Sequence, residues 1–344
     1  MDRTRIAVVG AGKLGGYHAN LAAKSDRFDL VAVVDPVKAS RESLAEKTGA
    51  QAHSNVAETL PKIDAAVVAT PTVTHSDAVG CLLDAGKHVL VEKPIAPNAA
   101  EATRMVEAAD RAGVVLQVGH VERFNPALAA AAGRLESPRL IQATRTSGYT
   151  FRSTDIGAAL DLMIHDIDLV LALTGGSVVD VAAVGTSVLG GHEDMLSTRL
   201  TLDTGCVAEL TASRVSYELR RDMRVFTPTG FVAMDFAEGT ATTVTPTAEV
   251  LAGDFRPEAL SAERKAELFA GKMFEEVLVR ERHESPAVNA IDLELADFAD
   301  AIQTGISPRV TGVAGRDAVA VAERILRAAA QHAASVQAPA ARAA

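Results

Sequence analysis

The first third of the chain alternates short, continuous apolar runs with longer stretches of helical period. Each apolar run is followed by Gly, Asp, Pro or Thr and then by a segment rich in Ala, Leu, Glu and Lys. This alternation predicts repeated β-α units, and strands that are apolar throughout are typical of a parallel sheet covered by helices on both faces. We therefore predict a doubly wound α/β domain over residues 1–120, with strands at 5–9, 30–34, 65–69, 88–91 and 114–118.

The pattern changes after about residue 120. A long helical segment is predicted over 157–173, and strand-like runs separated by turn residues follow it. Connections such as 203–205 (DTG) and 227–230 (TPTG) are of the hairpin type and predict antiparallel neighbours. The second domain, over 121–332, is therefore predicted to be α+β with a mainly antiparallel open sheet. Its strands are predicted at 179–189, 196–203, 206–214, 221–227 and 230–236.

The last part of the chain is predicted to contain two more helices, near 290–303 and 314–331. We expect the second of them to pack back on the first domain. The charge-rich segment 252–285 is weakly periodic and is predicted to be an exposed excursion. The Ala-rich tail, 333–344, is predicted to fray.

Composition and charge exclude several classes of protein. The 344 residues include 34 Lys and Arg against 44 Asp and Glu, which gives a formal net charge of −10 and argues against a broad nucleic-acid surface. The two cysteines, Cys81 and Cys206, lie far apart without zinc or disulfide spacing. No apolar stretch has the length of a signal-peptide core or a membrane span. We expect a cytoplasmic protein without nucleic-acid or membrane partners.

A glycine-rich loop follows the first predicted strand and opens the first predicted helix. Residues 8–15 read VVGAGKLG, so Gly10 is placed for a tight turn, Gly12 for close approach of a pyrophosphate, and Gly15 for helix-strand packing. The N–H groups at the start of that helix favour phosphate binding. We include Lys13 and Leu14, which open the helix, among the cofactor-binding residues.

An acidic residue ends the second predicted strand. Asp35 lies twenty residues after Gly15, where a carboxylate accepts a hydrogen bond from a ribose 2′-hydroxyl and repels a 2′-phosphate. The pattern therefore favours NAD, although the nearby Lys38 leaves NADP use open. The alternative is a glycine-rich turn followed by a solvated Asp.

Two opposite charges and a proline follow another predicted strand of the first domain. Glu92, Lys93 and Pro94 come at the carboxyl end of a parallel strand, where ligands bind in such sheets. A lysine beside a cofactor can stabilise a developing alkoxide. The alternative is a surface ion pair of little energetic consequence.

The predicted helix over 157–173 carries a polar stripe within an apolar segment. Gly157, Asp161, His165 and Asp168 are spaced four, four and three residues apart, which places them on one face of a helix. Histidine is suited to proton transfer near neutral pH, and a carboxylate one turn away can orient it. A metal site is the alternative, but a further cluster of ligands is lacking, so no metal is predicted.

Three further sets of residues are also candidates for the site. Thr70, Pro71, Thr72 and His75 follow a predicted strand and either contact the cofactor or cap a helix. His120, Arg123 and Tyr149 are candidates for contact with an anionic or sugar substrate, and the alternative is a structural role. Arg220, Arg221 and Arg224 are candidates for binding a phosphate, and the alternative is a solvated surface.

Taken together, these motifs resemble the Gfo/Idh/MocA oxidoreductases over nearly the whole chain. The resemblance rests on the glycine loop, the TPxxxH at 70–75, the EKP at 92–94, the DxxxH at 161–165 and the closing helix near 312–331. It implies that Lys93 lies at the nicotinamide and substrate hydroxyl, and that Asp161 and His165 complete the catalytic site. It also implies a homodimer or homotetramer.

The sequence differs from the common family pattern at two positions, and two of its segments look most like one group of members. Thr72 stands where the family commonly has Asn, and Asp166 follows His165, which not every member has. The runs 120–126 and 161–168 look most like members that oxidise the 3-position of UDP-N-acetylglucosamine. We expect an NAD-dependent dehydrogenase of a sugar or nucleotide sugar. The alternatives are an inositol, polyol or other sugar dehydrogenase of the same family, and a non-catalytic NAD-binding sensor.

Overall fold

The protein is described by a computed structural model that covers residues 3–151, 154–286 and 288–337 and contains two β-sheets. The first sheet has six parallel strands in the order β3-β2-β1-β4-β5-β6. Its strands are β1 (Thr4–Val9), β2 (Phe28–Val34), β3 (Gln51–His53), β4 (Ala65–Val68), β5 (His88–Glu92) and β6 (Leu116–Gly119). The helices between them are α1 (Lys13–Ala22), α2 (Lys38–Thr48), α3 (His75–Asp84) and α4 (Ala99–Ala112).

The second sheet has eight strands in the order β14-β13-β12-β11-β7-β10-β9-β8. Its pairs are antiparallel except for β7 with β10. The strands are β7 (Leu140–Thr146), β8 (Val178–Thr186), β9 (Met195–Leu202), β10 (Val207–Ser213), β11 (Arg220–Thr227), β12 (Gly230–Asp235), β13 (Thr240–Pro246) and β14 (Leu278–Glu284). The helices of this half are α5 (Pro126–Ala130), α6 (Ile164–Thr174), α7 (Ala248–Leu251), α8 (Ala262–Glu267), α9 (Ala290–Thr304) and α10 (Gly312–Gln337). The predicted fold class is confirmed.

The central strands of the first sheet are buried because helices cover both of its faces. β1 and β4 are almost entirely inaccessible, as the continuous apolar pattern predicts. On one face, α9 adds Leu295 and Phe298 to a core shared with α1 and α2. On the other face, α10 packs against α4 and also against α6 and β8. The two C-terminal helices therefore join the two sheets, and one hydrophobic core continues from the first sheet through α10 to the second.

Several sequence-based predictions of local structure need correction. The segment 252–285 is not only an exposed excursion, because it ends in β14, which pairs with β13. The last helix continues to Gln337, past the predicted start of the frayed tail, and residues 338–344 lie outside the described residues. The predicted strand 179–189 ends at Thr186. Four strands were not predicted, namely β3, β7, β13 and β14.

The predicted helix over 157–173 is also different in its first turn. Residues Ala159–Met163 form a π-helical turn, and α6 begins only at Ile164. A π-turn is wider than an α-turn and changes the spacing of the side chains it carries. Gly157 precedes this turn. A glycine is needed there because a Cβ would meet the Glu193 carboxylate at about 2.1 Å. That carboxylate accepts a hydrogen bond from the Ala159 N–H at 3.0 Å.

Within the part of the chain that the structure describes, no helix combines the length and apolarity needed to cross a bilayer.

Candidate active site

The predicted cofactor residues meet at the carboxyl edge of the first sheet, where β1 and β4 lie side by side. This is the point at which the strand order reverses, and ligands of doubly wound sheets bind there. Gly10 has a φ of 100°, and a Cβ there would approach the Ala69 carbonyl oxygen to 2.5 Å. A Cβ on Gly15 would meet the Gly10 carbonyl oxygen at 1.8 Å. Both glycines are therefore needed for the turn itself.

Gly12 has the opposite environment. A Cβ there would meet nothing within 4 Å, and no side chain caps the start of α1. The first N–H groups of a helix lack partners within the helix, so those at Lys13 and Leu14 can donate to a ligand. This arrangement fits the pyrophosphate of a dinucleotide.

The Asp35 carboxylate lies beside the same loop. Its Oδ2 accepts a hydrogen bond from the Ala11 N–H at 2.7 Å, and its Oδ1 accepts one from the Val37 N–H at 2.8 Å. Arg41, which was not predicted as a site residue, donates to the carbonyls of Asp35 and Pro36. Lys38 lies on the exposed side of α2, 3.8 Å from Glu42. The carboxylate is thus fixed at the edge of the loop, where it fits an NAD ribose.

Alanine substitutions at Gly12 and Gly16 provide a matched test of this cradle. A Cβ meets nothing within 4 Å at either position, so we expect neither variant to be less stable than the wild type, and Gly16→Ala to be slightly more stable because Gly16 lies inside α1. Gly12→Ala should weaken NAD binding at least tenfold because its methyl group enters the space over the loop, whereas Gly16→Ala should bind like the wild type. Calorimetric titration with NAD measures both affinities. Equal affinities would contradict the proposed position of the pyrophosphate.

The turn after β4 has a structural role that the sequence did not reveal. His75 is buried, and its Nδ1 and Nε2 lie 3.0 and 2.9 Å from the carbonyl oxygens of Pro94 and Thr70. Burial lowers the pKa of His75. The ring therefore joins the 70–75 turn to the turn that carries Lys93, which favours a positioning role over direct contact with a cofactor. Thr72 is buried, and Pro71 is exposed at the start of this turn.

Lys93 is held toward the second half of the chain. Its Nζ donates to the backbone carbonyl of Asp161 at 2.6 Å and lies 3.3 Å from the Asp161 Oδ1. The Asp161 carbonyl belongs to the π-turn described above. Both side chains keep a minor exposed fraction, 16% for Lys93 and 20% for Asp161. The strand end and the helix therefore meet at one ammonium group, which remains accessible to a ligand.

His165 completes this group. The residue is partly exposed, while its Nδ1 is buried without a hydrogen-bond partner among the described residues. The ring of His120 packs edge-on against it, with 6.2 Å between ring centroids. Burial, together with the positive charges of Lys93 and Arg145, lowers the pKa of His165 well below its usual range. His165 is therefore neutral at pH 7 and able to accept a proton.

A buried ion network supports the helix that carries His165. Arg145 donates to both carboxylate oxygens of Asp166, at 3.0 and 2.8 Å, and to Glu122 at 2.7 Å. All three side chains are less than a tenth exposed. Burial raises the pKa of Asp166, and the Arg145 charge opposes that rise. Arg145 and Glu122 were not predicted as functional, because nothing in the local sequence pairs them.

The residues predicted to contact a substrate or a phosphate lie in varied surroundings, and several of them pair with other side chains. Arg123 forms a two-point ion pair with Asp168, at 2.6 and 3.1 Å, so the geometry favours the structural alternative for both. His120 is buried, and neither ring nitrogen has a partner among the described residues. Tyr149 lies under the guanidinium of Arg214. Of the basic cluster at 220–224, all three arginines are exposed, and Arg220 pairs with Asp222.

Comparisons with known proteins find relatives along nearly the whole chain. Residues 4–120 match the Gfo/Idh/MocA model for an oxidoreductase family with an NAD-binding Rossmann fold, and residues 128–233 match the C-terminal domain of the same family. UDP-N-acetylglucosamine 3-dehydrogenase from Acidithiobacillus ferrooxidans is 33% identical over 329 residues, which cover 94% of this chain and 97% of that protein. A solved structure of that enzyme superposes with a TM-score of 0.82 at 31% identity, covering 95% of this chain and 98% of the other.

A second relative is named for a different substrate. The scyllo-inositol 2-dehydrogenase (NAD(+)) of Bacillus subtilis is 33% identical over 233 residues, covering 62% of this chain and 68% of that protein. The family models and the first relative together span most of the sequence, including the glycine loop and the Lys93, Asp161 and His165 group. The chain therefore belongs to the Gfo/Idh/MocA family of NAD-binding oxidoreductases.

Proposed function

We propose that this protein is an NAD-dependent dehydrogenase that oxidises the 3-hydroxyl of UDP-N-acetylglucosamine. The observation that carries the proposal is the Lys93 ammonium held by Asp161 beside a neutral His165, at the edge of the sheet that bears the glycine loop. The full-length similarity to a UDP-N-acetylglucosamine 3-dehydrogenase supports the choice of substrate.

Each of the three residues has a separate task in this reaction. His165 removes the hydroxyl proton, since it is neutral at pH 7 and the residue is partly exposed. Lys93 donates a hydrogen bond to the same oxygen and stabilises the negative charge that develops on it. Asp161 orients the Lys93 ammonium through its carbonyl and carboxylate oxygens. A protein that only sensed NAD would have no need of this proton-transfer set.

The dinucleotide would be held by the loop Gly10–Gly15, the N–H groups at the start of α1, and the Asp35 carboxylate. When bound, NAD supplies the hydride acceptor for the oxidation. Thr70, Pro71, Thr72 and Glu92 lie at the neighbouring strand ends and are proposed to shape the same cleft. Asp35 supports a preference for NAD over NADP, because a carboxylate repels a 2′-phosphate.

The pH dependence of the reaction should identify the base. Because the pKa of His165 is lowered, the group is in its basic form from neutral pH down to below pH 6.5. We expect the acidic limb of kcat/KM to lie below pH 6.5, and we expect His165→Asn to lower kcat by about two orders of magnitude or more. Initial rates between pH 5 and 9 measure the limb. A limb above pH 7 would contradict the assignment.

A substrate panel tests the proposed function. NADH formation is followed at 340 nm with UDP-N-acetylglucosamine, UDP-glucose, myo-inositol, scyllo-inositol and glucose, each with NAD or NADP. We expect turnover of UDP-N-acetylglucosamine with NAD. Turnover of inositols alone would favour the second candidate, a polyol dehydrogenase, for which the similarity to the scyllo-inositol enzyme is the supporting observation. In that case the nucleotide-sugar proposal would be wrong.

The assembly and location of the protein are part of the same proposal. Along β9, buried Leu196, Thr198 and Leu200 alternate with more accessible Ser197 and Arg199, so the second sheet has one packed face and one accessible face. We propose a cytoplasmic homodimer or homotetramer that uses the accessible face. Light scattering at micromolar concentration should give a multiple of the 35.9 kDa chain mass. A monomer would contradict the assembly.

A further inference from the structure

A buried cluster of polar groups lies directly behind the strand end that carries Lys93. His18 on α1 contacts Glu92 on β5, with 2.7 Å between Nε2 and Oε1. Glu294 on α9 approaches the same pair, so that one ligand atom from each of the three residues lies within 4.8 Å of the others. His18 and Glu294 are fully buried, and Glu92 is 7% exposed. Three separate segments of the chain thus meet at one buried point.

The cluster is connected to Lys93 through Glu92. The second carboxylate oxygen of Glu92 accepts from the Lys93 N–H at 3.3 Å. A Cβ on Gly119 would meet this oxygen at 2.8 Å, so the space around it is tightly limited. His18 lies on α1, the helix that begins at the glycine loop. Glu92 therefore links the helix of the glycine loop to the catalytic lysine.

The cluster contains hydrogen-bond acceptors in excess. Neither carboxylate oxygen of Glu294 has a partner among the described residues, and the same is true of Gln117 Oε1 and His18 Nδ1. When a neutral His18 ring donates through Nε2, its Nδ1 is an acceptor as well. The Gln117 amide already donates to the Glu294 backbone carbonyl at 3.0 Å. Buried acceptors without donors are costly, so a proton or a cation bound within the cluster would stabilise it.

The charges around Glu294 favour a proton. Glu92 on β5 and Asp297 on α9 are the acidic groups that face it, His18 on α1 is the titratable neighbour, and no Lys or Arg of the described residues pairs with it. Burial, and then the negative charge of Glu92, raises the pKa of Glu294 well above its ordinary value. A metal ion would have to compete with the existing contact between His18 and Glu92.

We propose that Glu294 is a neutral positioning residue, whose proton supplies the donor that the buried Glu92–His18 cluster lacks and so fixes the strand end that carries Lys93. Glu92 accepts hydrogen bonds from two donors, the His18 ring and the Lys93 N–H, whereas no donor among the described residues reaches Glu294. The proton therefore resides on Glu294. The effect on catalysis rests on the proposed function, whereas the protonation state does not.

The protonation state is tested by the pH dependence of stability. A carboxyl group that is protonated in the folded state and ionised in the unfolded state stabilises the protein fully only at low pH, and this contribution is lost as pH rises toward the folded-state pKa. Glu294→Gln has no ionisable group at this position, so its stability does not include this pH-dependent loss. The melting temperature of the variant relative to the wild type should therefore rise by about 2 °C per pH unit between pH 5.5 and 7.5.

Glu107→Gln provides the matched control, because Glu107 is exposed on α4. Its melting-temperature difference from the wild type should not change with pH. A constant or falling difference for Glu294→Gln would mean that Glu294 is ionised in the folded protein and would overturn the proposal. Elemental analysis of the purified protein gives a second test. If the protein contains one metal ion per chain and Glu294→Gln loses it, the cluster holds a cation instead of a proton, and the proposal is overturned.

The positioning role is tested by kcat in the proposed reaction. Glu294→Met removes the donor at similar volume, so we expect kcat to fall about tenfold with little change in the KM for NAD. Glu294→Gln keeps a donor and should restore kcat to within about threefold of the wild type. Wild-type kcat in Glu294→Met would overturn the positioning role. Absence of turnover in the wild type would instead refute the proposed function, and the stability test would still decide the protonation state.

Discussion

Replacing Lys93 with methionine should lower kcat by about two to four orders of magnitude. Methionine keeps most of the side-chain length and removes the ammonium that donates to the Asp161 carbonyl at 2.6 Å. Without this group, no donor stabilises the substrate oxygen as it loses its proton. Initial rates at saturating NAD and substrate measure the effect.

NAD binding should remain close to that of wild type in this variant. The glycine loop and Asp35 have no contact with the Lys93 ammonium among the described hydrogen bonds, so calorimetric titration with NAD should give a similar affinity. Lys47→Met is the matched control, because Lys47 is exposed on α2. Wild-type turnover in Lys93→Met would exclude the proposed role of the lysine.

Arg145→Met should lower the free energy of unfolding by about 3–5 kcal/mol, because the substitution leaves two buried carboxylates without their counter-charge. Asp166 and Glu122 both depend on this guanidinium, and neither is more than a tenth exposed. Denaturant titration at pH 7.5 measures the loss. Since Asp166 is adjacent to His165, we also expect kcat to fall.

A second arginine offers the control for this experiment. Arg104 lies on α4 and is exposed, so Arg104→Met should change the stability by no more than about 0.5 kcal/mol. A loss below about 1 kcal/mol in Arg145→Met would show that the buried network contributes little, and that the helix bearing His165 is held by packing alone.

The first sheet could be predicted because its pattern is locally consistent. Continuous apolar strands, a glycine loop of defined spacing and an acid at the end of the second strand all indicate the same fold. The strand β3, with only three residues, was too short for its pattern to be distinguished from a loop. In the second sheet, β7 was missed because an inward-facing position is occupied by Arg145 where an apolar residue is expected.

The candidate site was only partly visible in the sequence for a similar reason. Lys93, Asp161 and His165 stand out as charged or polar residues in apolar surroundings, and the resemblance to a known family supplied their roles. The main partner of Lys93 is a backbone carbonyl, which leaves no trace in the sequence. Glu294 is brought to Glu92 by the return of α9 to the first sheet, and no local pattern predicts that approach.

The proposal that this family member oxidises C3 of UDP-N-acetylglucosamine is tested most directly by following the hydrogen itself. The enzyme is incubated with NAD and UDP-N-acetylglucosamine deuterated at C3, the protein is denatured to release any retained cofactor, and the reduced dinucleotide is analysed by mass spectrometry. We predict reduced dinucleotide that carries one deuterium. Unlabelled reduced dinucleotide, or none, would contradict oxidation at this position.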